Sequence, residues 1–372
     1  MVVTLRDIIE VMEEIAPAFL AQDWDNAGLQ VGHQTWQVNK IWIALDATED
    51  LVAKAALQGV SLLITHHPLI FRPIEAVDLE TSTGRIIQAA LRKKLAIFCA
   101  HTNLDSAFGG VNDTLAERLE LYDTRVLKSP DQSDLYKLVV FVPVGYEEEI
   151  LDALFESGAG KTEKYTHTSF RTRGVGTFKP GVTAKPFKGR VGETSHESEY
   201  RIEALVRKKD LSWAIRALER AHPYEEMAYD VYATGVVEAK VGLGRIGNLQ
   251  QDLTLDAFAQ IIKGTLGLNT VKATGDPRQT IRRVAVCSGS GRGLLEDFFA
   301  SDAQVYVSGD LGYHDGRKAE ALGRALIDIG HFASEHLVVE SLTACLQKAV
   351  SKRRYTVDVE AYTGERDCFY YL

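Results

Sequence analysis

Three apolar stretches of the chain run directly into residue types that bind transition metals. His66 and His67 follow Leu62 to Thr65 and precede Pro68. His101 follows Ile97 to Ala100, with Asp105 four residues on, and His331 follows Leu326 to Gly330, with Glu335 four residues on. If the apolar runs are strands of an open α/β sheet, all three clusters sit beyond carboxyl ends of strands, where such sheets bind ligands. At a helix start, His331 and Glu335 share one face, about 6 Å apart at the β-carbons. Two adjacent histidines where the chain leaves a sheet before a proline can address neighbouring ions. Asp105 can then bridge a metal pair at the roughly 3.5–4 Å separation common in two-metal sites. Imidazole and carboxylate donors without thiolate favour two divalent transition-metal ions, zinc first, with iron, manganese, cobalt or nickel as alternatives, over calcium or magnesium.

Two more strand ends point towards the same region. Asp310 and His314 follow the run ending at Ser308 and are candidates for general acid or base work; the competing reading makes Asp310 a helix cap and His314 an outer or exposed residue. The turn Cys287-Ser288-Gly289-Ser290-Gly291-Arg292-Gly293 could cradle an anion on its amides or simply be a tight turn. His336, five positions after His331, faces away around a helix. His33, His167 and His196 read as solvated, and Cys99 as a buried thiol.

These residues need elements to place them. Residues 1–128 alternate strand-like runs (Ile41 to Asp46, Val60 to Thr65, Leu95 to Ala100) with helical patterns, and the rhythm returns from 246 to 372 in Val284 to Ser288, Gln304 to Ser308 and Ala325 to Ile329. Between them, residues 129–245 read as strand Leu135 to Pro143, helix Glu147 to Ser157, a hairpin region with a long loop at Lys179 to Ser198, strand Tyr200 to Val206, helix Leu211 to Ala221 and strand Ala228 to Ala233. That order, β-α-β-β-α-β, predicts an inserted ferredoxin-like α+β domain interrupting a two-part α/β core. An amphipathic helix opens the chain, with Thr4 as cap and Leu5, Ile8, Ile9, Met12 and Ile15 on one face.

Composition narrows the class. The chain has 372 residues, 45% hydrophobic and 25% charged, with 9 prolines, which is ordinary for a multi-domain globular protein. A net charge of −9 opposes general nucleic-acid binding or attachment to anionic lipid. No run approaches the ~20 apolar residues of a membrane span, and Glu10, Glu13 and Glu14 break any signal-peptide pattern. Four cysteines without a CxxC pair suggest neither a disulfide framework nor a thiolate zinc knuckle, and a cytoplasmic location is expected.

The motifs Asp23-Trp24-Asp25-Asn26-Ala27-Gly28-Leu29-Gln30-Val31-Gly32, Thr65-His66-His67-Pro68-Leu69, His101-Thr102-Asn103-Leu104-Asp105, Ser308-Gly309-Asp310 through His314, and Gly330-His331 to Glu335 occur in that order. Together they resemble the GTP cyclohydrolase 1 type 2 homologue family, the Nif-three-like dinuclear-metal proteins. The resemblance implies a paired-metal site of His66, His67, Asp105, His331 and Glu335, with His101 a further ligand or close neighbour, and a toroidal homohexamer. The middle segment, ending in Ala221-His222-Pro223-Tyr224-Glu225-Glu226, is similar to a PII-like or CutA-like domain. Two functions follow as alternatives: a metal-dependent hydrolase of a nucleotide-like or other small substrate, with a GTP cyclohydrolase-type reaction implied by the family name, or a non-enzymatic metal-responsive regulator or scaffold with a sensor domain that takes a small-molecule effector. A third, plainer reading makes the ions structural ties.

Overall fold

The computed structural model describes residues 2–129, 135–162, 165–234 and 240–370. In chain order the strands are β1 (Gly28–Val31), β2 (Lys40–Ala44), β3 (Leu62–Thr65), β4 (Ala96–Cys99) and β5 (Tyr122–Lys128); then β6 (Leu135–Pro143), β7 (Phe170–Phe178), β8 (Ser195–Arg207) and β9 (Tyr229–Ala233). They continue with β10 (Leu243–Thr254), β11 (Lys272–Thr274), β12 (Thr280–Ser290), β13 (Val305–Gly309), β14 (Ala325–Asp328) and β15 (Asp358–Ala361). The chain divides into two compact units, residues 1–129 with 239–372, and residues 130–238. Because β10 pairs with β5 and β12 of the first unit, the second boundary lies before Leu243 rather than at 245.

The first unit carries two mixed sheets. One has the order β1-β4-β3-β2-β15, with β15, β2, β3 and β4 parallel and β1 antiparallel at the edge. The other runs β11-β14-β13-β12-β10-β5, with β12, β13 and β14 parallel. The parallel strands read as continuous apolar runs because both faces are covered, and their residues alternate between two cores. Ile41, Ile43, Leu62 and Ile64 pack towards helices Leu5–Ile15 and Leu337–Lys352, whereas Trp42, Ala44 and Leu63 pack towards helices Glu49–Leu57 and Ser82–Lys93. The opening helix starts at Thr4, whose backbone amide donates to Asp7 at 2.7 Å; its inner stripe is Leu5, Ile8, Val11 and Met12, with Ile9 and Ile15 at the rim.

Each half of the first unit lends elements to the other. The late strand β15 and helix Leu337–Lys352 complete the sheet and core of the first half, while the early strand β5 and helix Val111–Arg118 complete those of the second. A buried guanidinium fastens this exchange: Arg245, 2% exposed on β10, pairs with Asp113 of helix Val111–Arg118 and donates to the carbonyls of Gly242 (2.7 Å), Gly244 (2.9 Å) and Ala107 (3.2 Å).

In the second unit the elements run β-α-β-β-α-β, and β6 to β9 form one antiparallel sheet ordered β7-β8-β6-β9. Helices Glu147–Glu156 and Lys208–Ala221 cover one face through Ile150, Leu154, Ala214 and Leu218 against Leu138, Val140, Ile202 and Ala204. The stretch expected as a loop from Lys179 is shorter than predicted, because β8 already begins at Ser195. Among the described residues no helix is long and apolar enough to cross a membrane.

Removing one member of a buried ion pair leaves its partner charged and unpaired, typically at a cost of about 3–5 kcal/mol. Arg245→Met is therefore expected to lower unfolding stability in urea by about 3 kcal/mol or more. A loss below about 1 kcal/mol would show that the clamp carries little of the interlock.

Candidate metal centre

The carboxyl ends of β3 and β4 in one sheet and of β12, β13 and β14 in the other bring His66, His67, His101, Asp105, His331 and Glu335 into one cluster. His66 and His67 continue β3 as it leaves the sheet, their amides still bonded to the carbonyls of Ala44 (3.1 Å) and Leu45 (2.9 Å). Their ring centroids stand 5.3 Å apart, and the His101 ring lies 5.3 Å from His66 and 5.8 Å from His67. His331 opens the short helix His331–Glu335 after Gly330, whose φ of 83° suits only glycine at little cost. The four-residue spacing does place His331 Nε2 and Glu335 Oε2 3.0 Å apart on one face.

Each imidazole is anchored from outside the cluster by its Nδ1. The acceptor is the Ala100 carbonyl for His66 (2.9 Å), Asp46 for His67 (2.9 Å), Asp25 for His101 (2.7 Å) and Asp310 for His331 (2.7 Å). With the proton on Nδ1, Nε2 carries the lone pair, which is how metal-binding histidines are held. Acceptor then faces acceptor. Glu335 Oε2 lies 2.9 Å from His67 Nε2, its Oε1 3.6 Å from His66 Nε2, and the His67 and His331 Nε2 atoms are 3.4 Å apart. Only positive charge, a proton or a cation, makes such an arrangement favourable.

The ionisation tendencies say the same. Burial disfavours a charged His67 ring, but hydrogen bonds to Asp46 and Glu335 outweigh it and raise its pKa to about 10. The Glu335 hydrogen bond, against burial, raises His331 to about 9. Burial would raise Glu335 too, yet the charge of His66 and contacts with three imidazoles hold it well below the usual carboxylate range. Asp105 is pushed up by burial in spite of nearby His66. His66 Nε2 is fully buried, 3.7 Å from Asp105 Oδ1, and has no hydrogen-bond partner. An orphaned nitrogen aimed at two carboxylates fits a cation of the transition series. Single donor atoms from His66, His67 and His101, and from His67, His331 and Glu335, lie within 4.8 Å of one another in two groups that share His67. Glu335 reaches three imidazoles, whereas Asp105 lies beside His66 and accepts from Ser288 Oγ at 3.1 Å.

The other sequence candidates fall differently. Asp310, with φ of 58°, holds His331 Nδ1 and so acts through that ring. His314 is exposed on helix Tyr313–Ala321, its ring against Tyr313. Of the glycine-rich segment, Cys287 to Ser290 is the end of β12 and Gly291 to Leu294 a 3-10 turn; Ser288 N donates to Asn112 Oδ1 (2.9 Å), Gly289 N to Ser334 Oγ (2.8 Å), and Arg292 pairs with Asp315 at 2.9 Å. These two bonds tie the end of β12 to the helices that carry Asn112 and Ser334. His336 stacks on Phe332, and Cys99 donates to the His66 carbonyl with its thiol pKa raised by burial.

Asp310 is a candidate on sequence and Asp25 stands in a quoted motif, but their part as outer acceptors, and Asp46 and Glu365 altogether, escape the sequence reading. Asp46 follows β2 as His66 follows β3, so the strand-end argument could have found it. Glu365 has no such signal: from a loop beyond β15 it accepts from Leu45 N (2.8 Å) and Asp46 N (3.0 Å), fixing the backbone that aims Asp46 at His67. His67 and Asp46 also line a cleft of about 550 Å³ with Thr48, Ser82 and Thr83.

Comparison with known proteins adds to this geometry. The model of the family described as Duf34/NIF3 (NGG1p interacting factor 3) matches residues 3–367. Proteins named GTP cyclohydrolase 1 type 2 homolog from Bacillus subtilis and Halalkalibacterium halodurans are 38% and 35% identical to the chain over 367 residues; each match covers 99% of this chain and 98% of the relative. The crystal structure of a Bacillus cereus protein related to NIF3 is 36% identical, with a TM-score of 0.71 over 100% of both chains. A Staphylococcus aureus crystal structure is 28% identical, with a TM-score of 0.77 over 100% of this chain and 99% of that one.

Gly289 tests the packing around the carboxylate. Its φ is +59°, and a β-carbon there would stand 2.0 Å from Glu335 Oε1. Gly289→Ala is expected to cost about 1–3 kcal/mol in chemical denaturation, whereas Gly293→Ala, which meets nothing within 4 Å, is expected to be near neutral. Equal effects of the two would contradict the close fit.

Proposed function

Because the chain belongs to the Duf34/NIF3 family, we propose that its cluster holds two divalent transition-metal ions, zinc first, and that the protein is a metal-dependent hydrolase of a nucleotide-like or other small substrate. The observation that carries this is the convergence of four anchored imidazoles, buried Glu335 and partly buried Asp105, with lone pairs facing one another. His66, His67, His101, Asp105, His331 and Glu335 would hold the ions. When bound, such a pair supplies Lewis acidity towards water and substrate oxygens.

The chain's own groups do the rest. Asp46, Asp25 and Asp310 keep the Nδ1 protons of His67, His101 and His331 and so fix which nitrogen faces inward. Half-exposed His331, with a side chain 39% exposed against 0% for His66, marks the solvent side by which a substrate enters. The names of the relatives point to a GTP cyclohydrolase-type reaction as the first to assay.

The second unit favours another reading. Its β-α-β-β-α-β order and β7-β8-β6-β9 sheet support reading it as a ferredoxin-like module, the PII-like or CutA-like insertion of a metal-responsive regulator. A homohexamer in the cytoplasm belongs to both readings and rests on family resemblance.

Elemental analysis of purified chain dialysed against zinc is expected to give two ions per chain, and light scattering the mass of six copies. His331→Ala and Glu335→Ala should lose metal, and Glu365→Ala should weaken it about tenfold or more by loosening Asp46. Unchanged metal content in the first two variants would end the proposal. With metal present, turnover of GTP or other small phosphoesters and cyclic amides that Asp105→Asn abolishes supports the hydrolase; inactivity with effector binding to the second unit supports the regulator.

A further inference from the structure

Two large aromatic side chains stand exposed beside the cluster, and neither contributes to a core. Trp24 is 59% exposed and Phe71 50% exposed, their ring centroids 5.9 Å apart. Trp24 also meets His101, centroid to centroid at 5.9 Å and edge to face at 77°. His101 in turn packs against His66 and His67. The indole therefore lies directly against one donor ring and one ring away from two more.

The pair is held, not loosely displayed. Asp25, next to Trp24, binds His101 Nδ1 with one oxygen and the amide and hydroxyl of Thr102 with the other. The Thr102 hydroxyl accepts from Gln22 N at 2.9 Å. On the other side Asn26 Nδ2 donates to the Ile70 carbonyl at 2.6 Å, Ile70 N donates to Gln30 Oε1 at 3.1 Å, and Gln30 Nε2 donates to the Asn26 carbonyl at 2.7 Å. These bonds tie the turn bearing Trp24 to the loop bearing Phe71. Leaving so much aromatic surface in water forfeits burial energy, and fixing it beside polar donors gives a flat apolar face next to a reactive one.

We propose that Trp24, with Phe71 beside it, is the stacking platform for a planar heterocyclic ring of the substrate, such as a purine, whose polar part reaches the cluster past His101. This rests on the metal-site reading above and narrows its substrate class. A ligand that touches both surfaces must be small and joined, flat at one end and oxygen-bearing at the other. Of the carboxylates between the two rings and the cluster, Asp25 is engaged with His101 and Asp46 with His67, so what these rings offer the flat end is a stacking face.

The test uses the full chain loaded with zinc and isothermal titration with guanosine 5′-monophosphate and, in parallel, ribose 5-phosphate, which keeps the phosphate and lacks the ring. Wild type is expected to bind the nucleotide about tenfold or more tightly than the sugar phosphate; Trp24→Leu removes that preference, and Trp24→Phe restores most of it. Metal content is measured on every sample. Equal binding of the two ligands by wild type, or an unchanged preference in Trp24→Leu with two ions retained, overturns the platform. A change of oligomeric mass in Trp24→Leu with ring preference intact overturns it too, assigning the indole to contact between copies. Ring preference in a chain that holds no metal keeps the platform and instead removes the metal-site reading.

Discussion

A carboxylate enclosed by imidazoles is the constraint to which the rest of the first unit answers. Glu335 has a side chain only 5% exposed and touches His66, His67 and His331. Taking a carboxylate out of water costs several kcal/mol unless positive charge meets it. Rings turned inward with their Nε2 lone pairs gather that charge, as a proton or a cation, only if their outer nitrogens are fixed, which is what the Ala100 carbonyl, Asp46, Asp25 and Asp310 do. The ring of acceptors outside the cluster is thus as necessary as the donors inside it.

Convergence depends on the exchange between chain halves. One sheet ends in His66, His67 and His101, the other in the turn and helix that carry Gly289, His331 and Glu335, and β5 and β15 cross between them. Helix Val111–Arg118 joins the two: its Asn112 holds Ser288 N and the Asp105 carbonyl, and its Asp113 is clamped by Arg245. Without that interlock nothing would hold the donors of one sheet against those of the other. Gly289 shows how tight the fit is, since no side chain can stand where Glu335 enters.

Much of this was readable in the residues. Buried parallel strands announce themselves as apolar runs, so β3, β4, β13 and β14 were found within a residue or two, and the donors at their ends followed. The i, i+4 spacing of His331 and Glu335 needed only a helix. Other features left no mark. β5 is exposed along most of its length, and β15 is only four residues long, so neither showed a period, and their crossing between sheets is a tertiary fact. Glu365 acts on backbone amides 319 and 320 positions away, which no local pattern encodes. In the glycine-rich segment, nothing local shows that Asn112 and Ser334, 176 and 45 positions away, take the amides of Ser288 and Gly289.

X-ray absorption at the zinc edge of the loaded chain reads the donor atoms around the ion themselves. With these imidazoles and carboxylates as donors, the first shell is expected to be nitrogen and oxygen at about 2.0–2.1 Å, with the outer-shell scattering of several imidazoles and no sulfur. A shell at about 2.3 Å, the zinc–thiolate distance, or a spectrum without imidazole, would mean that the ion sits elsewhere.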